Sequence, residues 1–138
     1  MATVDIGTPL LDKIKDFRMS KHSQGNSAIV VKIDKAKLEM DIEDEFNNIT
    51  LEDLKEELPE NSPRFIVLSY ELHHKDGRTS FPLVLIYWAP QTSSMELKTL
   101  YTSALQNFSV KADISGKVLD IREESEFDKE SLDRRLGA

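Results

Sequence analysis

The sequence A-P-Q-T-S-S-M-E-L-K-T-L-Y-T-S-A-L-Q-N-F, residues 89–108, predicts a long helix around which the fold is organised. Pro90 has no N–H to offer a sheet ladder, so we expect the preceding strand to end there. Ser93 and Glu96 have the spacing of a capping box, in which each side chain bonds the other residue's backbone N–H. Apolar residues then recur every three or four positions, which gives one buried stripe over about four turns: Leu97, Leu100, Tyr101, Ala104, Leu105 and Phe108.

The opposite side of this helix carries unusually few charges for a chain that is 31% charged. Its residues are Met95, Lys98, Thr99, Thr102 and Gln106, with Ser103 and Asn107 at the margins. Small polar groups cost little to desolvate, so this side is suited to contact with another protein. The alternative is an ordinary surface helix rich in Ser and Thr, and composition alone does not separate the two.

Composition bounds the class of protein. A chain of 138 residues with 39% apolar residues fits one domain with its own core, and the absence of cysteine excludes disulfides and thiolate metal sites. The net charge of −7 disfavours nucleic-acid binding but allows a local basic patch to recognise an acidic protein. Neither a signal peptide nor an apolar run of about 20 residues is present, so we expect no membrane partner.

The first half of the chain predicts two helices and two strands. Thr8 is expected to cap a helix that begins at Pro9 and ends near Arg18. The β-branched run 28–33 predicts a strand covered on both faces, and the alternation over 38–43 predicts a strand that is wet on one side. Thr50 is expected to cap a short second helix.

The second half adds a hairpin, the long helix, a strand and a last helix. Residues 65–72 and 81–88 predict a strand pair whose turn contains Asp76-Gly77. Residues 118–121 predict a short strand, and Asp128 is expected to cap the last helix. The order α-β-β-α-β-β-α-β-α predicts one α/β (α+β) domain with a mixed sheet and helices on both of its faces.

The sequence offers no strong catalytic or metal-binding motif. His73-His74 with Asp76 could be imagined as a metal cluster, but adjacent strand residues point to opposite faces. The acidic run 41–45 lacks the central Gly of a calcium loop, and the usual hydrolase and phosphate-loop motifs are missing. We therefore expect no enzyme, metal or cofactor. A small hydrolase using carboxylate pairs such as Glu56-Glu57 or Glu123-Glu124 is the alternative, which a deep pocket lined by them would favour.

Several segments resemble a known family. Residues 87–104, Y-W-A-P-Q-T-S-S-M-E-L-K-T-L-Y-T-S-A, resemble the Trp-x-Pro loop and long helix of actin-depolymerising-factor homology domains. E-L-P-E-N-S-P-R-F-I-V-L-S-Y (57–70), D-G-R-T-S-F-P-L (76–83) and D-K-I-K-D-F-R-M-S-K (12–21) are similar to glia maturation factors. The resemblance runs in order along essentially the whole chain, so it implies one actin-depolymerising-factor homology domain over residues 1–138.

The resemblance also implies a function. Glia maturation factors bind the actin-related-protein complex that nucleates filament branches, remove daughter filaments and inhibit new branch nucleation, with weak or no binding to monomeric actin. A cofilin-type factor that binds and severs filaments is the alternative. The chain lacks the Lys/Arg-rich nuclear-import run of cofilins, which favours a site in the cytoplasm at cortical actin, with a nuclear pool as the alternative. We expect the protein to be a monomer.

Two contact surfaces are implied by the resemblance. The first faces an actin-related subunit and comprises Thr3, Arg18, Lys21, Lys98, Thr99, Thr102 and Ser103. The second faces the first actin of the daughter filament and comprises Lys75, Asp76, Arg78, Asp128, Glu130, Arg134 and Arg135. Thr99 and Leu105 stand where cofilins usually have Met and a basic residue, which weakens the cofilin interpretation.

Overall fold

The computed structural model describes residues 4–20, 25–114 and 117–137. Helices, strands and one 3-10 turn alternate along these ranges. In chain order they are β1 (Asp5–Ile6), α1 (Thr8–Met19), β2 (Asn26–Asp34), β3 (Glu39–Ile49), α2 (Leu51–Glu56), β4 (Arg64–Ser69), β5 (Leu72–His73), β6 (Thr79–Ser80), β7 (Leu83–Trp88), α3 (Met95–Lys111), β8 (Val118–Ile121), the 3-10 turn (Glu124–Glu126) and α4 (Lys129–Arg135).

Six of these strands form one mixed sheet in the order β1-β3-β2-β4-β7-β8. The inner strands pair antiparallel, whereas β1 pairs with β3 and β7 pairs with β8 in parallel. A parallel pair needs a crossover, and α3 provides the one between β7 and β8. The remaining strands, β5 and β6, pair with each other as a separate hairpin.

Alternation along the central strands produces two buried clusters, one on each face of the sheet. On β2, Ile29 and Val31 face the cluster that contains the buried residues of α1 and α3. Ala28 and Val30 face the other cluster, to which α2 and α4 contribute. The prediction of a mixed sheet with helices on both faces is therefore confirmed. The strand over 28–33 is covered on both sides as predicted except at Lys32, which is exposed.

Aromatic rings hold α3 against the sheet. The ring of Phe65, in the centre of the sheet, lies 5.2 Å from the rings of both Tyr101 and Phe108 on the helix. The backbone N–H of Ile33 donates to the Tyr101 hydroxyl at 2.8 Å in a buried position. The pairing of β2 with β4 ends at Val31, two residues before Ile33. The helix therefore supplies a hydrogen-bond acceptor at a position where β4 no longer pairs with β2.

Two predicted helix starts are wrong by one residue. Ser94, not Ser93, caps α3, because its hydroxyl accepts the Leu97 N–H at 3.2 Å. The Ser93 N–H instead closes a turn onto the Pro90 carbonyl, which moves the cap one position along the chain. Thr8 lies inside α1 rather than at its cap, because the Gly7 carbonyl already accepts the first helical N–H. The predicted caps Thr50 and Asp128 are confirmed.

The predicted strand pair 65–72 and 81–88 is divided in two. The Tyr70 N–H bonds the Pro82 carbonyl, but Pro82 has no N–H with which to continue the ladder. The long strands therefore stop at Ser69 and Leu83, and the Asp76-Gly77 turn closes a short hairpin of its own. In addition, β3 is longer than predicted, and the acidic run 41–45 lies inside it rather than at a strand end.

We expect Tyr101→Phe to destabilise the fold without altering its shape. The substitution leaves the buried Ile33 N–H without its acceptor, which costs about 1–3 kcal/mol of unfolding free energy, measurable by urea titration. Ser20→Ala is the control, because it removes an exposed side-chain hydrogen bond and should cost less than about 0.5 kcal/mol. Equal stabilities of Tyr101→Phe and wild type would contradict the proposed role of this bond.

Candidate functional site

The outer side of α3 faces solvent, as the sequence predicted. Met95 is 75% exposed, and Thr99, Thr102, Ser103 and Gln106 are also exposed. Lys98 is half-buried at the margin of this side. The residues predicted to face inward are buried or pack against the core, so the helix presents one side with few charges.

The loop before α3 is fixed by contacts to the segment after α2. The Trp88 indole N–H donates to the Pro59 carbonyl at 2.9 Å, and the Thr92 hydroxyl donates to the Glu60 carbonyl at 2.8 Å. Lys98 joins this loop, because its Nζ donates to the Gln91 carbonyl at 3.1 Å. No carboxylate of the described residues lies within 4.0 Å of that ammonium, since Glu96 is paired with Lys35 instead. Lys98 thus remains a local positive charge at the margin of the outer side of α3.

The inner side of the same turn of α3 is held by a tyrosine from the sheet. The Tyr87 hydroxyl donates to the Lys98 carbonyl at 3.2 Å and lies 2.9 Å from the Thr102 hydroxyl oxygen. Burial raises the pKa of Tyr87, so its hydroxyl keeps its proton at neutral pH. Sequence patterns could not identify this contact, because Tyr87 precedes the helix and no periodicity connects the two elements.

The end of α1 lies beside the end of α3. Arg18 Nη1 is 3.3 Å from Asp113 Oδ2, just beyond the helix. Because the 17 residues of α3 span about 25 Å, Arg18 and Lys98 lie near opposite ends of the same surface. Thr3 and Lys21, the other predicted members of the first surface, lie outside the described residues.

The second predicted surface is built on the hairpin of β5 and β6. Asp76 accepts two hydrogen bonds from Arg78, one from its backbone N–H at 3.1 Å and one from its Nε at 2.7 Å. These bonds, the backbone one first, lower the pKa of the Asp76 carboxyl. Lys75, Asp76 and Arg78 line a surface depression of about 360 Å³ together with Gly137, which follows α4. The structure therefore brings the hairpin and the end of the last helix together.

The predicted residues of α4 differ in what they do. The Asp128 carboxylate caps the helix by accepting the Ser131 N–H at 2.8 Å, and that bond is the main cause of its lowered pKa. Arg135 donates to the Asp120 carbonyl of β8 at 3.3 Å. Glu130 and Arg134 lie exposed on the helix. Asp128 and Arg135 thus contribute to the structure of this surface, whereas Glu130 and Arg134 are exposed to solvent.

Tyr70 fixes the position of α4. Its hydroxyl donates to Asp133 Oδ1 at 2.6 Å, and Lys129 Nζ donates to the other oxygen at 2.7 Å. Burial acts to raise the pKa of Asp133, but the hydrogen bonds from Lys129 and Tyr70 outweigh it, and the pKa falls below 3.8. The sequence did not predict this contact, which joins residues 63 positions apart.

A cavity of about 650 Å³ lies on the other side of the sheet from α3. It is lined by residues of α2, of the hairpin and of the start of α4, among them Glu52, Glu71 and Asp128. Glu71 is engaged with the Gly25 N–H at 2.7 Å and with His73 at 3.0 Å. The carboxylate pairs considered for a hydrolase do not line the cavity, so the hydrolase alternative gains no support from it.

The described residues contain neither a metal-binding cluster nor a helix that could span a membrane. Within residues 4–20, 25–114 and 117–137, no group of three or more His, Asp or Glu side chains is arranged to hold a metal ion. Over the same ranges, no helix has the length and apolar character needed to cross a bilayer.

Comparison with known proteins identifies the family. The model of cofilin/tropomyosin-type actin-binding proteins matches residues 3–137. Human glia maturation factor beta is 36% identical over 137 residues, which cover 99% of this chain and 95% of the human protein. The chain belongs to the glia maturation factor family. The family consists of actin-binding regulators of the cytoskeleton rather than known enzymes.

Solved structures agree with this family assignment. The solution structure of glia maturation factor from Caenorhabditis elegans superposes with a TM-score of 0.81 at 36% identity, covering 97% of this chain and 96% of the other. Plasmodium berghei actin depolymerization factor 2 gives a TM-score of 0.83 at 18% identity over the whole of both chains. The second likeness establishes the shared fold alone.

We expect Asp133→Asn to destabilise the protein at neutral pH but not in acid. The folded state lowers the pKa of Asp133, so the stability that its charged form contributes is present above about pH 4 and is lost as the pH falls. Asparagine loses the charge-assisted bonds, which should cost about 1–2 kcal/mol near neutrality. Urea unfolding at about pH 7 and about pH 3 measures the difference between variant and wild type at each pH.

The control for this prediction is Asp113→Asn. Asp113 forms an ion pair with Arg18 on the surface and is 75% exposed, so its substitution should change stability little at either pH. A gap between Asp133→Asn and wild type that is the same at both pH values would contradict the assigned role of the carboxylate.

Proposed function

We propose that this chain binds the actin-related-protein complex that nucleates filament branches, promotes the debranching of actin filaments and inhibits new branch nucleation. The observation that carries the proposal is the outer side of α3, which is exposed, poor in charge and flanked by the Lys98 ammonium, which donates to the Gln91 carbonyl. Membership of the glia maturation factor family supports the choice of partner. We further propose that the protein acts as a monomer in the cytoplasm at cortical actin.

The mechanism needs no covalent chemistry. A ligand shifts an equilibrium only by the difference between its affinities for the two states, and each 1.4 kcal/mol of difference corresponds to about tenfold. Debranching therefore requires tighter binding to the branch-released complex than to the branched one. The first surface, on α3 and the end of α1, would contact an actin-related subunit. The second surface, on the hairpin and α4, would contact the first actin of the daughter filament.

Electrostatics favours acidic partners at particular points. The chain carries a net charge of −7, so its overall charge does not attract acidic proteins. Lys98 on the first surface provides local positive charge, whereas Arg78 on the second is paired with Asp76. Local charge of this kind affects orientation and association rate more than overall affinity.

A cofilin-type function is the second candidate. The observation that favours it is the match of residues 3–137 to the model of cofilin/tropomyosin-type actin-binding proteins. Co-sedimentation with pure actin filaments separates the two candidates, because tight and saturable filament binding would favour the cofilin-type function. Imaging of single branches with and without the protein tests debranching directly.

We expect Lys98→Ala combined with Thr102→Glu to abolish binding to the branch complex while leaving the fold intact. The double substitution removes the positive charge and adds a negative one on the outer side of α3. Lys117→Ala with Ser125→Glu makes the same change of charge at exposed positions outside both surfaces and should bind normally. Debranching by the Lys98 and Thr102 variant at the wild-type rate would show that the α3 interface is wrong.

We expect Asp76→Ala combined with Arg78→Ala to slow debranching while sparing binding to the complex. The two substitutions remove the side-chain bond that shapes the hairpin turn, at no change in net charge. Asp120→Ala with Arg122→Ala is a matched control, because it removes another exposed Asp–Arg pair with the same spacing. Dissociation rates of single branches provide the measurement, and an unchanged rate would remove the second surface from the mechanism.

A further inference from the structure

Two exposed hydroxyl residues of α3, Thr102 and Ser103, bond groups within the protein. The Thr102 hydroxyl oxygen lies 2.9 Å from the Tyr87 hydroxyl at the base of the helix. The Ser103 hydroxyl donates to the Leu100 carbonyl at 2.7 Å. Both hydroxyls are therefore already engaged within the folded protein.

The Tyr87 hydroxyl holds the Thr102 oxygen against the core. It lies 3.2 Å from the Lys98 carbonyl, which can only accept, and 2.9 Å from the Thr102 hydroxyl oxygen. Whichever of the two hydroxyls donates to the other, the Thr102 oxygen is directed at Tyr87. Tyr87 is only 5% exposed and its ring centroid lies 5.6 Å from that of Phe65, so the core holds this hydroxyl in place.

A fixed hydroxyl also fixes the other branch of the threonine side chain. Thr102 carries a hydroxyl and a methyl on the same β-carbon, and its torsion about that carbon has few allowed values. With the oxygen held against Tyr87, the methyl forms the exposed part of the side chain. Thr102 lies on the same side of the helix as the strongly exposed Met95, so the Thr102 methyl and the Met95 side chain are two apolar groups on this side.

We propose that Thr102 contacts the branch complex through its methyl group, and that Tyr87 is a positioning residue that keeps the Thr102 hydroxyl out of the interface. The matching partner surface is an apolar cleft rather than a set of hydrogen-bonding groups. This inference rests on the proposed function and adds to it the chemistry of one contact. The opposite assignment, in which the partner bonds the Thr102 hydroxyl, makes different predictions for two conservative substitutions.

The test compares Thr102→Val with Thr102→Ser in binding of the full-length protein to the purified branch complex. Valine keeps the methyl and lacks the hydroxyl, so its affinity should stay within about twofold of wild type. Serine keeps the hydroxyl and lacks the methyl, so its affinity should fall about fourfold, equivalent to about 0.8 kcal/mol for one buried carbon. Thermal melting of each variant checks that the fold is unchanged.

Three other results would overturn the inference. A larger loss for valine than for serine would mean that the partner bonds the hydroxyl. Comparable losses for both variants would mean that both branches of the side chain are required, and no loss for either would mean that Thr102 lies outside the contact. If wild type itself does not bind the complex, the proposed function fails, and this inference fails with it.

A double-mutant cycle tests the role of Tyr87. Tyr87→Phe should weaken binding two- to threefold in the wild-type background, because the Thr102 hydroxyl is no longer held. In the Thr102→Val background the same substitution should have no effect, since there is no hydroxyl to release. Equal losses in both backgrounds would mean that Tyr87 acts through packing alone, and no loss in either would show that it does not position Thr102.

Discussion

Phe65, in the middle of the sheet, contacts the rings of Tyr101 and Phe108 on α3, and this contact determines which side of the helix faces outward. Successive residues of a helix are rotated by about 100°, so a helix anchored at two points seven residues apart cannot turn about its axis. The low-charge side of α3 is therefore held outward by the core. The proposed recognition of a partner on this side therefore depends on residues that are buried beneath it.

Two buried tyrosine hydroxyls add directional bonds to this packing. Tyr101 accepts the Ile33 N–H, and Tyr87 bonds the Lys98 carbonyl and the Thr102 hydroxyl. Burial raises the pKa of both tyrosines, so both hydroxyls remain neutral and able to donate at physiological pH. A contact surface ordered in advance in this way loses less conformational entropy on binding than a mobile one.

Local patterns in the sequence predicted much of this architecture. The stripe of apolar residues identified α3, and the caps Thr50 and Asp128 identified two further helix starts, because those signals lie within one or two turns of the chain. The start of α3 was misplaced by one residue because the Ser93 N–H closes a turn onto Pro90, which competes with the capping box. Similarly, the sequence did not show which neighbouring strand the missing N–H of Pro82 would face. It therefore did not show that the pairing of β4 with β7 stops at Leu83.

The contacts that complete the two surfaces were not predictable, because they connect residues distant in sequence. Arg18 meets Asp113, Tyr87 meets Thr102, and Tyr70 meets Asp133, each between two different elements. No periodicity within one element encodes such a pairing. The resemblance to a family placed some of these residues on a surface, but it did not identify which of them support the surface from below.

The two proposed surfaces also have separate supports, so a change in one of them need not alter the other. The side of α3 is supported by the cluster on one face of the sheet, whereas α4 packs on the other cluster. Tyr70 joins the elements of the second surface, because its N–H bonds Pro82 at the base of the hairpin and its hydroxyl bonds Asp133 on α4. A change in the hairpin can therefore alter the second surface while the position of α3 on the sheet stays unchanged. That independence is what a protein requires if it holds one partner while it displaces another.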